Sequence, residues 1–155
     1  MDKLLLYHKK VTMEDITEID SDFDLTYKQI SSNKDRLKYV KTFLKGFDKQ
    51  KRTFFIYYLN TFDSHYNMYL ILKNNKVVGC FALRPKGKGV IYLYDFTILK
   101  EYRGNGEGRK ALRLVYKEVL DLGKPKLHLY LKKGNDIALK LYQSDGFVKY
   151  SKNRK

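Results

Sequence analysis

One short segment places three glycines between an apolar strand pattern and an amphipathic helix pattern. Gly104, Gly106 and Gly108 stand at alternate positions, after the apolar run Val90–Leu99, and a helical spacing of apolar residues starts at Leu112. Glycines let a phosphate approach the backbone, and a helix N-terminus carries unpaired N–H groups and about half a unit of positive charge. The segment predicts a phosphate-binding turn, with a plain strand-to-helix turn facing water as the alternative.

Basic residues near these glycines favour the phosphate interpretation. The chain has 25 Lys and 7 Arg, a net charge of +15, and Arg103, Arg109 and Arg113 fall within one stretch of eleven residues. The planar fork of Arg matches phosphate oxygens. Basic groups in the first turns of a helix oppose its dipole, a cost that a bound anion would offset. The total charge suits an anionic ligand, an acidic protein or nucleic acid, or only a lysine-coated surface.

The length and composition suit one domain over residues 1–155. No apolar run reaches the ~20 residues of a membrane span, so we expect a soluble, cytoplasmic protein with no membrane partner. Cys80 is the only cysteine and lies in an apolar run, which predicts a buried, inert thiol. His8, His65 and His128 lie far apart in sequence, and no metal site is expected.

Hydrophobic periodicity predicts an α/β fold with the element order β-α-α-β-β-β-α-β-α-β. We expect a mixed central sheet of about six strands with about four helices on both faces. Asn74-Asn75 predicts a hairpin turn, Gly123 ends the helix after the glycines, and Thr53–Phe62 fits either helix or strand. The other elements are expected at Lys3–Lys10, Met13–Asp22, Asp35–Lys45, Tyr66–Lys73, Lys76–Arg84, Val90–Leu99, Leu127–Leu131, Asn135–Asp145 and Phe147–Tyr150.

Two motifs resemble the GNAT N-acetyltransferase superfamily. Arg103-x-x-Gly106-x-Gly108 is similar to the superfamily signature, in which Gln or Arg precedes a Gly and a Gly or Ala at the same spacing. The second motif reads Leu129-x-Leu131-x-x-x-Asn135-x-x-Ala138-x-x-Leu141-Tyr142-x-x-x-Gly146-Phe147. The resemblance covers Phe96 to Phe147 and implies a GNAT-like fold, with acetyl-CoA as co-substrate and no metal.

The resemblance also implies how acetyl-CoA would be held. Backbone N–H groups from Gly104 to Arg109 would bind the pyrophosphate, and the strands Val90–Leu99 and Leu127–Leu131 would splay apart around the cofactor. Asn135 would contact the pantetheine arm or its waters, and the main chains of Phe96 and Ile98 would hydrogen-bond it. The implied cofactor-binding residues are Phe96, Ile98, Arg103, Gly104, Asn105, Gly106, Gly108, Arg109 and Asn135.

The implied reaction is direct transfer of the acetyl group to a primary amine. The Ile98 N–H would stabilise the oxyanion, and Tyr142 would protonate the leaving thiolate. The alternative for Tyr142 is a core aromatic residue on a helix face. For the general base, Asp95 is the first candidate, because an acid is unusual in an apolar strand, although a hydrogen-bonded strand-edge carboxylate explains it equally well.

Tyr92, Tyr94 and, more remotely, His128 are the other candidates for the base. The acceptor is open between a protein, a small molecule and an aminoacyl-tRNA, and the charge favours an acidic or nucleic-acid-borne acceptor. Only eight residues follow Phe147, so the final strand pair usual in the superfamily is reduced. This reduction suggests that a second subunit, in a homodimer, completes the acceptor wall.

A binding module without turnover is the alternative function. Such a GNAT-like module would hold CoA, or would bind nucleic acid through a basic surface. Lys34–Arg52 interleaves basic and aromatic residues, which fits a phosphate-backbone contact. A solvated helix face with its aromatic residues in the core explains the same segment and is the preferred interpretation.

Overall fold

The computed structural model describes residues 4–46 and 65–151. Within these ranges the chain forms seven strands and three α-helices, with short 3-10 turns at Met13–Ile16 and Lys100–Tyr102. The strands are β1 Leu4–Lys10, β2 Thr26–Gln29, β3 Asn67–Lys73, β4 Lys76–Pro85, β5 Val90–Ile98, β6 Lys126–Lys132 and β7 Val148–Lys149. The helices are α1 Asn33–Gly46, α2 Glu107–Asp121 and α3 Asp136–Ser144.

All seven strands belong to one mixed sheet with the order β2-β3-β4-β5-β6-β1-β7. The β5–β6 pair is parallel, and each other neighbouring pair is antiparallel. The mixed α/β class predicted from the sequence is confirmed. The β3–β4 hairpin is also confirmed, since Asn74 and Asn75 have φ angles of +50° and +64°, the backbone that a tight hairpin turn requires.

The helices cover both faces of the sheet. Leu112, Val115 and Val119 of α2 are fully buried in the larger core cluster, which also includes Tyr142 of α3. On the other face, α1 packs against β3 and β4 in a second cluster that contains Cys80. Burial raises the pKa of the Cys80 thiol well above its usual range, as expected for a buried, inert cysteine. No helix among the described residues is long and apolar enough to cross a membrane.

The beginning of the chain departs from the prediction in two places. The helix expected at Met13–Asp22 is wrong: a 3-10 turn spans Met13–Ile16, and the Asp22 N–H then donates to the Asp20 carboxylate. Asp and Ser side chains compete for backbone groups in this way and favour turns over helix. The strand Thr26–Gln29 was not predicted. The ambiguous segment Thr53–Phe62 lies outside the described residues.

The sheet beside β6 is completed by β1. Strand β1 pairs antiparallel with β6 along its whole length: Leu4 is opposite Lys132 at one end, and Lys10 is opposite Lys126 at the other. The short β7 then pairs with β1. The sequence predicts that a second subunit completes the acceptor wall, because few residues follow Phe147. Since β1 of the same chain supplies the strand beside β6, that argument for a second subunit no longer holds. The homodimer stays a prediction without that support.

Candidate active site

The parallel strands β5 and β6 separate partway along their length. The last paired residues are Leu93 of β5 and Leu129 of β6, whereas β5 continues to Ile98 and β6 to Lys132. The two strand ends leave a gap at the carboxyl edge of the sheet, as the predicted splaying requires. Crevices outside the carboxyl ends of parallel strands are the usual ligand sites of α/β sheets.

A bulge in β5 lies next to this gap. The register between β4 and β5 shifts between Cys80 and Ala82, and Asp95 of β5 has a φ angle of +58°. The Thr97 hydroxyl donates to the Asp95 carbonyl at 2.9 Å and holds the irregular turn. Bulges of this kind bend a strand and re-aim its groups, and they are common beside active sites.

Beyond the bulge, the Ile98 N–H lies on the gap side of β5. The next N–H, that of Leu99, donates to the Val78 carbonyl of β4 at 2.8 Å. Successive N–H groups of a strand point to opposite edges, so the Ile98 N–H points away from β4 and toward the gap. This is the position expected for an oxyanion donor.

Arg103 acts on the protein backbone. Its Nε donates to the Ile98 carbonyl at 2.6 Å, and its Nη2 donates to the Gly46 carbonyl at 2.9 Å. The guanidinium thereby ties the end of β5 to the end of α1. The contact of Arg103 with the cofactor stays a prediction.

The glycine loop is shaped to receive an anion. Gly104 and Gly106 have left-handed φ angles of +95° and +75°, and a Cβ built on either meets no described atom within 4 Å. Gly106 is the N-cap of α2, and no side chain within the described ranges caps this helix. Asn105 is exposed between the two glycines, whereas Gly108 faces Leu141 of α3. Open space next to unpaired N–H donors fits a phosphate.

The basic side chains of α2 have carboxylate partners within the chain. The pairs are Arg109–Glu18, Lys110–Asp24, Lys110–Glu107 and Arg113–Asp145. The argument that these residues need an external anion is therefore wrong for buried Arg113, which is used structurally. Arg109 stays 52% exposed at the surface next to the loop, where it can also reach a phosphate.

Two residues of the second motif lie at the start and within α3. The Asn135 side chain caps the helix by accepting from the Ala138 N–H at 3.3 Å, which leaves its amide N–H groups to donate elsewhere. Tyr142 is largely buried, with its ring 5.3 Å from Phe147 and 6.3 Å from Phe96. Within residues 4–46 and 65–151, its hydroxyl makes no hydrogen bond.

The profile of the acetyltransferase (GNAT) family matches residues 33–147, which contain the gap, the bulge and the glycine loop. The chain belongs to the GNAT acetyltransferase family. In sequence it is similar to YycN, described as an uncharacterized N-acetyltransferase of Bacillus subtilis, with 36% identity over 56 residues. The aligned part is 36% of each of the two chains, so it spans about a third of that relative.

Solved structures of other proteins share the GNAT fold. A functionally unknown protein from Staphylococcus epidermidis has a TM-score of 0.71 at 20% identity, over 96% of this chain and 58% of that one. A GNAT acetyltransferase from Elizabethkingia anophelis with acetyl-CoA bound has a TM-score of 0.65 at 18% identity, over 83% and 78%. An IAA acetyltransferase from Bacillus cereus has a TM-score of 0.61 at 19% identity, over 82% and 79%.

Asp95 is the only acidic residue in the seven described strands of this GNAT domain, and it lies in β5 beyond the last pair with β6. Its carboxylate accepts a hydrogen bond of 2.9 Å from the hydroxyl of Tyr39, a fully buried residue of α1. Burial raises the pKa of Asp95 to about 6, and the Tyr39 hydrogen bond opposes that rise. A carboxyl group with such a pKa is largely ionised at neutral pH and accepts a proton more readily than an exposed one. Tyr39, the hydrogen-bond partner of this candidate base, is a candidate site residue that the sequence analysis missed.

The two tyrosine candidates for the base fit that role less well. Burial raises the pKa of Tyr92 and of Tyr94, so both hydroxyls keep their protons at neutral pH. Burial lowers the pKa of His128, and its Nδ1 is buried with no partner among the described residues. A buried N–H without an acceptor is costly, so we assign the proton of neutral His128 to Nε2, which makes it a donor.

Proposed function

We propose that this GNAT domain transfers an acetyl group from acetyl-CoA directly to a primary amine. The observation that carries the proposal is the gap between β5 and β6, next to the uncapped N-terminus of α2 and its open glycine loop. The Elizabethkingia anophelis neighbour with acetyl-CoA bound and the N-acetyltransferase relative support the same cofactor and reaction class.

Each part of acetyl-CoA has groups that would hold it. The loop Gly104–Arg109 would bind the pyrophosphate through its N–H groups, with Arg109 as an exposed cation beside it. The main chains of Phe96 and Ile98 and the amide of Asn135 would bind the pantetheine arm. Acetyl-CoA supplies the thioester whose carbonyl the amine attacks. The Ile98 N–H, directed at the gap, would stabilise the charge that develops on the carbonyl oxygen.

Two side chains would move the protons of the reaction. Ionised Asp95 would accept the proton that the attacking amine loses, directly or through a water. Burial raises the pKa of Tyr142 well above its usual range, so its hydroxyl stays protonated at neutral pH. It would donate to the CoA sulfur as negative charge develops there. One base and one acid fit a direct transfer without an acetylated enzyme.

The test begins with the thermal unfolding midpoint of the full chain. Acetyl-CoA and desulfo-CoA should raise the midpoint at low and at high salt, whereas NAD should not. A ligand at ~100 times its dissociation constant adds ~2.7 kcal/mol of stability, which gives a clear shift. Release of CoA thiol with a panel of amines then tests turnover. No shift with acetyl-CoA would reject the enzyme, and a shift without thiol release for any amine would favour the binding module.

A further inference from the structure

Aromatic side chains of β1, β5 and β6 form a continuous row next to the gap. Ring centroids are 5.1 Å apart for Tyr92 and His128, 5.7 Å for Tyr92 and Tyr130, and 5.5 Å for His8 and His128. Tyr150, just after β7, lies 5.2 Å from His8 and ends the row. We call these five rings the aromatic face.

The aromatic face is turned away from α2. Its neighbours along the strands, Tyr7, Ile91 and Leu127, are buried in the core cluster under α2, and successive side chains of a strand point to opposite sides. On the side of the aromatic face, α1 packs on β3, on β4 and on the part of β5 around Tyr94 and Asp95. Tyr130 and Tyr150 therefore remain 43% and 39% exposed.

Basic side chains surround the aromatic face. Lys10 and Lys126 are directly opposite each other in the β1–β6 ladder, on the same side as the rings. Arg84 is opposite Tyr92 in the β4–β5 ladder, and the Lys86 Nζ lies 4.4 Å from the Tyr92 ring centroid. Like charges directly opposite across two strands cost stability. A bound anion would remove that cost.

Several carboxylates lie beside α2, on the other side of the sheet. Asp95 is the only acidic residue in the seven described strands. The carboxylates that pair with basic residues of α2 are those of Glu18, Asp24, Glu107, Asp121 and Asp145. The α2 side is therefore balanced in charge by pairs within the chain, whereas the side with the aromatic face is rich in cations.

The aromatic face ends at the gap where the acetyl group would be presented. Tyr92 is the residue before Leu93, the last residue of β5 that pairs with β6. Tyr130 is the first residue of β6 beyond that pairing. A ligand lying along the rings would therefore bring one of its ends to the gap.

We propose that the aromatic face binds single-stranded nucleic acid and that this nucleic acid carries the amine that accepts the acetyl group. The second part of the proposal rests on the function proposed above. Nucleobases stack on aromatic rings while the phosphates contact neighbouring Lys and Arg, and together the two contacts use every feature of this face. The donor assigned to His128 adds a hydrogen bond for a phosphate or a base. A second copy of the chain would set cations against cations, and an acidic peptide would leave the rings unstacked.

The binding part is tested with a fluorescent oligouridine of about 12 nucleotides, a length typical for such surfaces. Fluorescence anisotropy should show an affinity that falls as salt rises. Tyr130→Leu, which keeps an apolar side chain and removes the ring, should weaken binding at least about fivefold, whereas Tyr130→Phe should stay near wild type. Lys126→Ala should weaken binding and reduce the salt slope by about one, and its control on α2, Lys117→Ala, should not.

Three results would overturn the binding proposal. One is equal oligouridine affinity for wild type and Tyr130→Leu. Another is stronger binding of polyglutamate than of oligouridine, which would indicate an acidic protein partner. The third is a dimer in sedimentation that Tyr130→Leu dissociates, which would indicate a second copy of the chain. The acetyl-CoA melting shift, unchanged in every variant, verifies that the fold is intact.

The acceptor part is tested by thiol release with an oligouridine that bears a primary amine at one end. The amine attached to the oligouridine (the strand-borne amine) should have a KM at least about tenfold below that of the same amine on a linker without nucleotides (the free amine). Tyr130→Leu should raise the KM of the strand-borne amine and leave the KM of the free amine unchanged. Equal KM values for the two amines would reject a strand-borne acceptor. Absence of thiol release with every amine would instead reject the proposed function, while the oligouridine affinities would still decide the binding part.

Discussion

The guanidinium of Arg113 donates to both carboxylate oxygens of Asp145, and this ion pair joins α2 to the residue that ends α3. The Tyr116 hydroxyl donates to the same carboxylate, and both charged side chains are buried. Hydrogen bonds from Arg113 and Tyr116 hold the pKa of Asp145 below its usual range, although burial alone would raise it. The pair fixes α3, and with it Tyr142, against the helix that follows the glycine loop.

Arg113→Met should lower the free energy of unfolding by about 3–5 kcal/mol, because it leaves the Asp145 charge buried without its main partner. Urea unfolding at pH 7 measures the loss. Lys117→Met, which removes a surface cation of the same helix, should cost less than about 1 kcal/mol. A loss for Arg113→Met as small as that of the control would show that the pair is not important for stability.

Gly106→Ala should weaken acetyl-CoA binding at least about tenfold, because the methyl group enters the space where a phosphate would lie. Gly87→Ala is a matched control, since Gly87 has a φ angle of +73° against +75° for Gly106 and open space around its Cβ position. Both changes should cost about 1–2 kcal/mol of stability through backbone strain. Isothermal calorimetry should show full affinity for Gly87→Ala, and equal affinities would contradict the loop assignment.

Tyr142→Phe should lower kcat about 100-fold or more, with little change in acetyl-CoA affinity, because it removes only the proposed proton donor. Stopped-flow thiol detection and the acetyl-CoA melting shift measure the two quantities. Tyr27→Phe serves as control, because the Tyr27 hydroxyl donates to Glu118 on α2, away from the gap. Full activity of Tyr142→Phe would exclude this residue from the mechanism.

Asp95→Asn should remove an inflection at about 6 from the pH dependence of kcat/KM. In wild type, activity should rise with pH through the pKa of Asp95, about 6, because the ionised carboxylate is the proposed base. The variant should lose about 100-fold in rate at neutral pH, and only the inflection of the acceptor amine should remain. Asn accepts the positive φ of this position, so the bulge is preserved. An unchanged profile would exclude Asp95 as the base.

The same variant should be more stable than wild type above pH 6 but not near pH 4. Burial raises the pKa of Asp95 from 3.8 to about 6 on folding. Protonated Asp95 therefore adds to the free energy of unfolding fully below about pH 4, and this added stability is lost as pH rises through about 6. Melting curves of wild type and Asp95→Asn at pH 4, 6 and 8 test this sign. A stability difference that does not change with pH would mean that Asp95 has an ordinary pKa.

Local sequence signals predicted the parts of the site that depend on neighbouring residues. The strand-to-helix turn at the glycines before α2 and the Asn74-Asn75 hairpin are specified within a few residues, and both turns are confirmed; phosphate binding at the glycines stays a prediction. The Tyr39–Asp95 hydrogen bond joins residues far apart in the chain, so no local pattern indicates it. Arg113 looked like a phosphate ligand for the same reason, because its partner Asp145 follows only after another strand and helix.

The position of β1 between β6 and β7 constrains the order in which the molecule can be assembled. β1 is synthesised before all other described strands, yet both its neighbours, β6 and β7, are the last two described strands in the chain. Until β6 and β7 have been made, the backbone N–H and C=O groups of β1 have no strand to pair with. The part of the sheet that supports β6 at the gap is then not yet formed. Completion of the active site is therefore a late, long-range closure of the chain, which makes folding slow and leaves β1 available to chaperones or to mispairing in the interval.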